Sequence, residues 1–202
     1  MERPGYQGAN PISDVWAKEA LLVISKYFRR AVNDPEDLEA RSEMLKAASF
    51  AGMGFSNAGV HLCHALCYPI SSQGKQFVDK DYNADKPLIP HGLSVVTTAV
   101  ADFLFTTEAD PQRHAQAARF LGCDISVSAS SDYIAQTLAD SIRSFMSDFS
   151  VPNGLSALGF NRSDVPGLAD SAESSMKAYK LCLKEADKDV IAELYEKSLT
   201  VY

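Results

Sequence analysis

Apolar side chains recur every three or four positions along most of this chain, and over no useful length do they alternate with polar ones. Val15, Trp16, Ala20, Leu21, Ile24, Tyr27 and Phe28 keep that spacing up to Val32, which predicts an amphipathic helix. Ser13 or Asp14 is its expected N-cap. Lys26, Arg29 and Arg30 fall in its last turns, where cations favour the negative end of the helix dipole. Asn33, Asp34 and Pro35 then make a turn, with Asp34 as the next cap and Pro35 at the first helical position. From Glu36 to Gly59 the pattern is helical again and passes from charged to small and apolar residues, so its C-terminal half is expected to lie inside. Gly52, Gly54 and Gly59 cost about 1 kcal/mol each relative to Ala and let another backbone or a ligand come close. Asn57 in that setting reads as a buried amide in need of partners.

Ala58 to Cys67 reads as further helix, closed by Pro69. A long loop from Ile70 to Leu88 carries Lys75, Lys80, Lys86, Asp79, Asp81 and Asp85, and its polarity predicts a surface segment or lid. Pro90 and His91 then open the apolar run GLSVVTTAVADFLF. Asp110 and Pro111 cap a helix ending at Gly122, with His114 beside Gln and Arg as a surface residue. Ser130 to Asp132 introduce a longer helix with Ile134, Leu138, Ile142, Phe145 and Met146 on one face. Val151 to Gly159 is a short turn or helix, Ser163 begins another helix with Pro166 in its first turn, and Asp187 caps the last. With no strand pattern, repeat or low-complexity tract, the fold class is all-α, a single helical domain over residues 1–202.

Composition narrows the function. A chain of 202 residues, 46% hydrophobic and 22% charged, can bury a real core. Its net charge of −7 argues against nucleic acid or an anionic membrane surface as partner, since neither is attracted to acidic protein. The four cysteines, 63, 67, 123 and 182, suit a reducing compartment rather than a disulfide scaffold. No apolar stretch has the length of a membrane-spanning helix. The opening MERPGYQGANPISD lacks the apolar core of a signal peptide and the Arg/Ser-rich pattern of a transit peptide. It reads as a loop in mid-protein, so the chain is expected to be part of a larger one.

Candidate chemistry concentrates between Asn57 and Ser94, which hold three of the four histidines. His61 and His64 are three apart and Tyr68 lies four beyond His64, so in a helix they occupy neighbouring faces. His64 in the last turn of one helix and His91 at the start of another can converge on one point, a metal-site geometry. Imidazole suits Zn and Fe, and a catalytic site takes three or more protein ligands and an open position. His61, Cys67, Asp81 and Asp85 are the candidates for a third ligand, none at an identifying spacing. The plainer alternative makes the histidines hydrogen-bonded core residues, and Cys63 and Cys67 small buried apolar ones spaced wrongly for a disulfide. Lys75, Lys80 and Lys86 are candidates for a substrate carboxylate, against simple solvation of the loop. No dinucleotide-binding glycine motif after a strand, P-loop or Gly-x-Ser-x-Gly elbow is present.

Asn57-Ala58-Gly59, His64, Pro69 and Pro90-His91-Gly92 resemble the signature of the iron-dependent alcohol dehydrogenases, whose helical C-terminal domain is of the dehydroquinate synthase-like kind. Asn10 to Asp14, Asp37 to Ser42, Gly59 to His64 and the loop with Asp81-Tyr82-Asn83 resemble the mitochondrial hydroxyacid-oxoacid transhydrogenases within that family. The resemblance covers essentially all 202 residues. It implies Fe(II) or Zn held by one Asp and three His, of which His64 and His91 match the last two. The other pair, and the NAD-binding N-terminal domain, would lie upstream of this chain. It further implies oxidation of 4-hydroxybutyrate with reduction of 2-oxoglutarate, a mitochondrial location, and a homo-oligomer as one form of assembly. Asn57 and Gly59 would line the cofactor and substrate cleft. Tyr68 stands where many members carry a proton-relaying His. An isolated 202-residue chain is then expected to be inactive. The rival readings are an iron-dependent alcohol dehydrogenase of simple alcohols and a non-catalytic helical interaction domain.

Overall fold

The computed structural model describes residues 8–79, 86–173 and 181–202; Lys80, Asp81 and Asp85 lie outside them. The first helix, α1 (Pro11–Asn33), is capped by Asn10 and not by Ser13 or Asp14. Asn10 Oδ1 accepts from the backbone N–H of Ile12 at 3.2 Å and of Ser13 at 3.0 Å. Pro11 at the first position has no N–H to leave unsatisfied. The second helix, α2 (Leu38–Ala58), starts later than Pro35 suggests, because Asp37 is the cap, accepting from Ala40 N at 3.0 Å. Asp37 is also gripped by Arg30, whose Nε and Nη2 lie 2.8 and 3.0 Å from its carboxylate.

α1 and α2 form a hairpin around Val23, Tyr27, Ala40 and Ala47. Gly54 is buried against α1, where an added Cβ would stand in ordinary contact, 3.4 Å from Ser13 O and 3.6 Å from Ala17 N. The C-terminal half of α2 is nevertheless not interior, since Met53, Phe55, Ser56 and Asn57 are exposed. Among the described residues its main packing partner is α1. Asn57 is accordingly not a buried amide; its Nδ2 donates to Met53 O at 2.9 Å.

The principal core joins α3 (Leu62–Ser72), α4 (His91–Thr106), α8 (Val165–Glu173) and α9 (Lys188–Lys197). Pro69 does not close α3, which continues to Ser72. Leu62, Leu66 and Ile70, at four-residue spacing, are all wholly buried. Of these Ile70 lies beyond the proline, and its burial, worth about 1.5–3 kcal/mol, is of the size of the roughly 3 kcal/mol that an interior proline costs. Tyr195 of α9 is also fully buried and its hydroxyl donates to Leu66 O at 2.8 Å.

α5 (Pro111–Phe120) and α6 (Ser131–Asp148) pack on each other through Ala115, Ala118, Ile134 and Leu138. Asp110, Ser130 and Asp187 cap α5, α6 and α9 as their sequences indicate. A short helix α7 (Gly154–Ala157) follows, and a 3-10 turn at Arg162–Asp164, capped by Asn161, leads into α8. His114 is not at the surface. It is 7% exposed, with Nε2 3.1 Å from Thr106 Oγ1 and Nδ1 2.7 Å from Asp110 O. α4 touches α3, α6, α7 and α9, and Thr97 to Asp102 are buried without a break. Among the described residues there is an isolated bridge between Val78 and Leu88 but no strand, and no helix is long and apolar enough to cross a membrane.

Candidate metal centre

Two helix starts build the site. His61 precedes α3 without a side-chain capping bond, and its carbonyl accepts from the N–H of His64 and of Ala65, both at 3.0 Å. His64 therefore sits in the first turn of α3. Pro90 precedes α4, and His91 is its first residue, because proline disfavours helix in the residue before it and permits one after. The two imidazoles converge: their ring centroids are 5.4 Å apart at an interplanar angle of 56°. Rings whose nitrogens share one tetrahedral ion at about 2.0–2.1 Å have centroids roughly 5 Å apart, so the pair fits as two ligands of a single metal.

His64 is half-buried and His91 exposed, as an accessible site requires. Burial, and secondly the neighbouring His91, hold the His64 imidazole below the ordinary histidine range, so near neutral pH its lone pair is available to a cation. Phe55 at the end of α2 stands beside His64, with ring centroids 6.3 Å apart. Cys67 Sγ lies 3.8 Å from His91 Nδ1 and donates to His64 O at 3.1 Å. Burial pushes that thiol up, which disfavours the thiolate that binds metals. No third His, Cys, Asp or Glu completes a metal-binding group among the described residues. His61, partly buried, points Nδ1 into a position with no hydrogen-bond partner, and Asp81 and Asp85 lie outside the described residues.

The other candidates divide. Tyr68 is 48% exposed, one turn beyond His64 on α3. Gly59 ends α2 at φ +85° and so requires glycine, with its N–H on Phe55 O at 2.7 Å. Lys75 is committed elsewhere, with Nζ 2.7 Å from Asp164 Oδ1 and 5.2 Å from the Phe160 ring. Lys86 is exposed.

One group escapes the sequence pattern. Asp102, fully buried on α4, accepts from Cys63 Sγ at 2.7 Å through Oδ2, while Oδ1 has no partner. Burial raises its pKa to about 7. The available signal is a lone acid in an apolar run, in register with Thr98 and Thr106 one turn to either side.

Residues 5–199 match the family model described as Fe-containing alcohol dehydrogenase family, C-terminal. The chain belongs to the Fe-containing alcohol dehydrogenase family. This family member is 62% identical over 200 residues to the hydroxyacid-oxoacid transhydrogenase, mitochondrial, of Caenorhabditis briggsae, and 47% identical over 202 residues to that of Homo sapiens. Those alignments take in 99% and 100% of this chain, which spans 43% of the length of either relative. Among solved structures, a 1,3-propanediol oxidoreductase superposes with a TM-score of 0.83 over 95% of this chain and 46% of its own, at 24% identity. The alcohol dehydrogenase from Oenococcus oeni gives 0.81 over 94% and 45%, also at 24%. Both share the all-α fold of this Fe-containing alcohol dehydrogenase domain.

Proposed function

We propose that these 202 residues form the metal-holding part of a mitochondrial hydroxyacid-oxoacid transhydrogenase that oxidises 4-hydroxybutyrate to succinate semialdehyde and reduces 2-oxoglutarate to 2-hydroxyglutarate. The observation that carries the reading is the convergence of His64 and His91, 5.4 Å between ring centroids, in a chain of the Fe-containing alcohol dehydrogenase family. The names of the relatives support the reaction and the compartment. Because the chain spans 43% of their length and matches the C-terminal model, nucleotide binding and the remaining metal ligands are assigned to chain outside these residues. The 202 residues alone are then inactive in hydride transfer.

His64 and His91 would hold Fe(II) or Zn(II). Bound there, such an ion supplies a Lewis acid that lowers the pKa of the substrate alcohol and polarises the oxoacid carbonyl. NAD supplies the hydride chemistry. The chain's own residues do the rest. His64, kept neutral by burial, offers a lone pair without first losing a proton. Tyr68, on the same side of α3 at four-residue spacing, presents a hydroxyl for the alcohol proton. Asn57 and Gly59 line the cleft beside Phe55. Of the loop lysines, Lys75 is held by Asp164, which leaves the carboxylate contact to Lys86, with Lys80 outside the described residues.

Phe55, 49% exposed beside His64, favours a second reading, the oxidation of simple neutral alcohols. Zn²⁺ titration calorimetry of the full-length enzyme, repeated anaerobically with Fe(II), tests the metal site: the native enzyme should bind and His64→Ala and His91→Ala should not, whereas equal binding by all three overturns it. Lys86→Ala in the full-length enzyme separates the substrates, since a loss confined to oxoacids supports the transhydrogenase and an unchanged oxoacid rate supports simple alcohols.

A further inference from the structure

We propose that Asp102 is a positioning residue that sets the His64–His91 pair by tying the first turn of α3 to α4 through Cys63. The inference rests on the metal reading above for its use, but its geometry stands apart from it. Cys63 immediately precedes His64, and Asp102 belongs to the helix that His91 opens. Their contact, Cys63 Sγ to Asp102 Oδ2 at 2.7 Å, is a side-chain hydrogen bond between these two helices at the end of α3 that carries His64. A second joins them at the other end of α3, Ser71 Oγ to Ser94 Oγ at 2.9 Å, and Ser94 Oγ in turn donates to His91 O at 2.8 Å. The residue that precedes α3 makes no side-chain capping bond, and Cys63–Asp102 is the contact that ties its first turn to α4, with Tyr195 on Leu66 O and Cys67 beside His91 one turn further on.

Stability does not account for a carboxyl at this place. Asp102 is wholly enclosed, Oδ1 finds no partner, and Thr98 Oγ1 one turn earlier finds none either. Burying polar groups in this way costs free energy, and an apolar side chain of similar volume is generally at least as stable. What an apolar side chain cannot do is choose between neighbouring rotations of α3, as a directional bond to one sulfur does. Asp102 therefore trades stability for a defined angle between the helices that present the two imidazoles.

The test compares Asp102→Val, which removes the acceptor, with Asp102→Asn, which keeps one for the thiol. The first readout needs no metal: the nuclear Overhauser effect between the ring protons of His64 and His91. The second is Zn²⁺ affinity of the full-length enzyme by calorimetry, and the third is the melting temperature. Asp102→Val should melt at or above the native temperature, lose the inter-ring effect and bind Zn²⁺ on the order of tenfold more weakly. Asp102→Asn should stay native-like in the first two. Cys63→Val, which removes the thiol donor and leaves the main-chain N–H of Cys63 facing Asp102, should move all three readouts in the Asp102→Val direction and serves if that variant does not fold. An inter-ring effect retained in Asp102→Val or Cys63→Val, or lost equally in Asp102→Asn, overturns the proposal. A full-length native enzyme that binds no Zn²⁺ counts against the metal reading, and the inter-ring effect still decides the role of Asp102.

Discussion

Replacing Asp102 by Asn removes the titration of a buried carboxyl while keeping its shape, and the effect on stability can be worked out in sign and size. Burial raises the folded-state pKa from 3.8 to about 7. Between those values the folded chain holds a proton that the unfolded chain has released, so stability is fully present below pH 3.8 and is lost as pH rises through 7. At 1.36 kcal/mol per unit, the whole window is worth about 4 kcal/mol and the stretch from pH 5 to 7 about 3 kcal/mol, upper limits against a typical total of roughly 5–15 kcal/mol. Other groups titrate here as well. Burial holds the His61 and His64 imidazoles below the usual range, so they lower stability as pH falls below the histidine range, in native and variant protein alike. The difference between the two proteins isolates Asp102. Urea unfolding followed by circular dichroism at pH 5, 6, 7 and 8.5 should show Asp102→Asn gaining on the native chain as pH rises. The relative midpoint shift should be at most roughly 1–3 M for a slope of about 1–3 kcal/mol/M. Parallel pH profiles would show that the carboxyl is already ionised in the folded state and that the reasoning from burial is mistaken.

Two further substitutions test the packing that supports the site. Tyr195→Phe removes the hydroxyl donated to Leu66 O and should cost about 1 kcal/mol in urea unfolding, with the Zn²⁺ affinity unchanged. Gly154→Ala places a Cβ 2.6 Å from both Leu199 O and Ser198 O at φ +74°, so it should cost more than about 2 kcal/mol and lower the melting temperature by several degrees.

The sequence was most legible where local chemistry and tertiary packing agree. Asp110, Ser130 and Asp187 cap their helices as their spacing indicates, and His91 opens α4 because Pro90 leaves little alternative. Where they disagree, packing decides. Pro69 carries every local mark of a helix end, yet α3 continues past it and buries Ile70 one turn beyond Leu66. Asn10 outcompetes Ser13 and Asp14 as a cap because Pro11 follows it directly, and Ser13 is buried within α1. The small residues of α2 mark contact with α1, not burial on all sides, since periodicity cannot say how many neighbours a helix has. At the site, the pairing of His64 with His91 could be read, but not the place of His64: Gly59 at φ +85° breaks the expected Ala58 to Cys67 helix, so His64 stands in the first turn of α3 and not in a last turn. Asp102 could not, because its partner is a sulfur 39 residues away and no spacing rule joins a helical acid to a cysteine on another helix.

The bond from Tyr195 to the Leu66 carbonyl spans 129 residues, and it gives the site a history as well as a shape. During synthesis at about 5–20 residues per second, α3 emerges roughly ten seconds before α9 does. For that interval the apolar face behind His64 has no α9 to lie against. The helix that carries His64 is thus made well before it is secured, and a protein that holds nascent apolar helices would meet α3 in that interval.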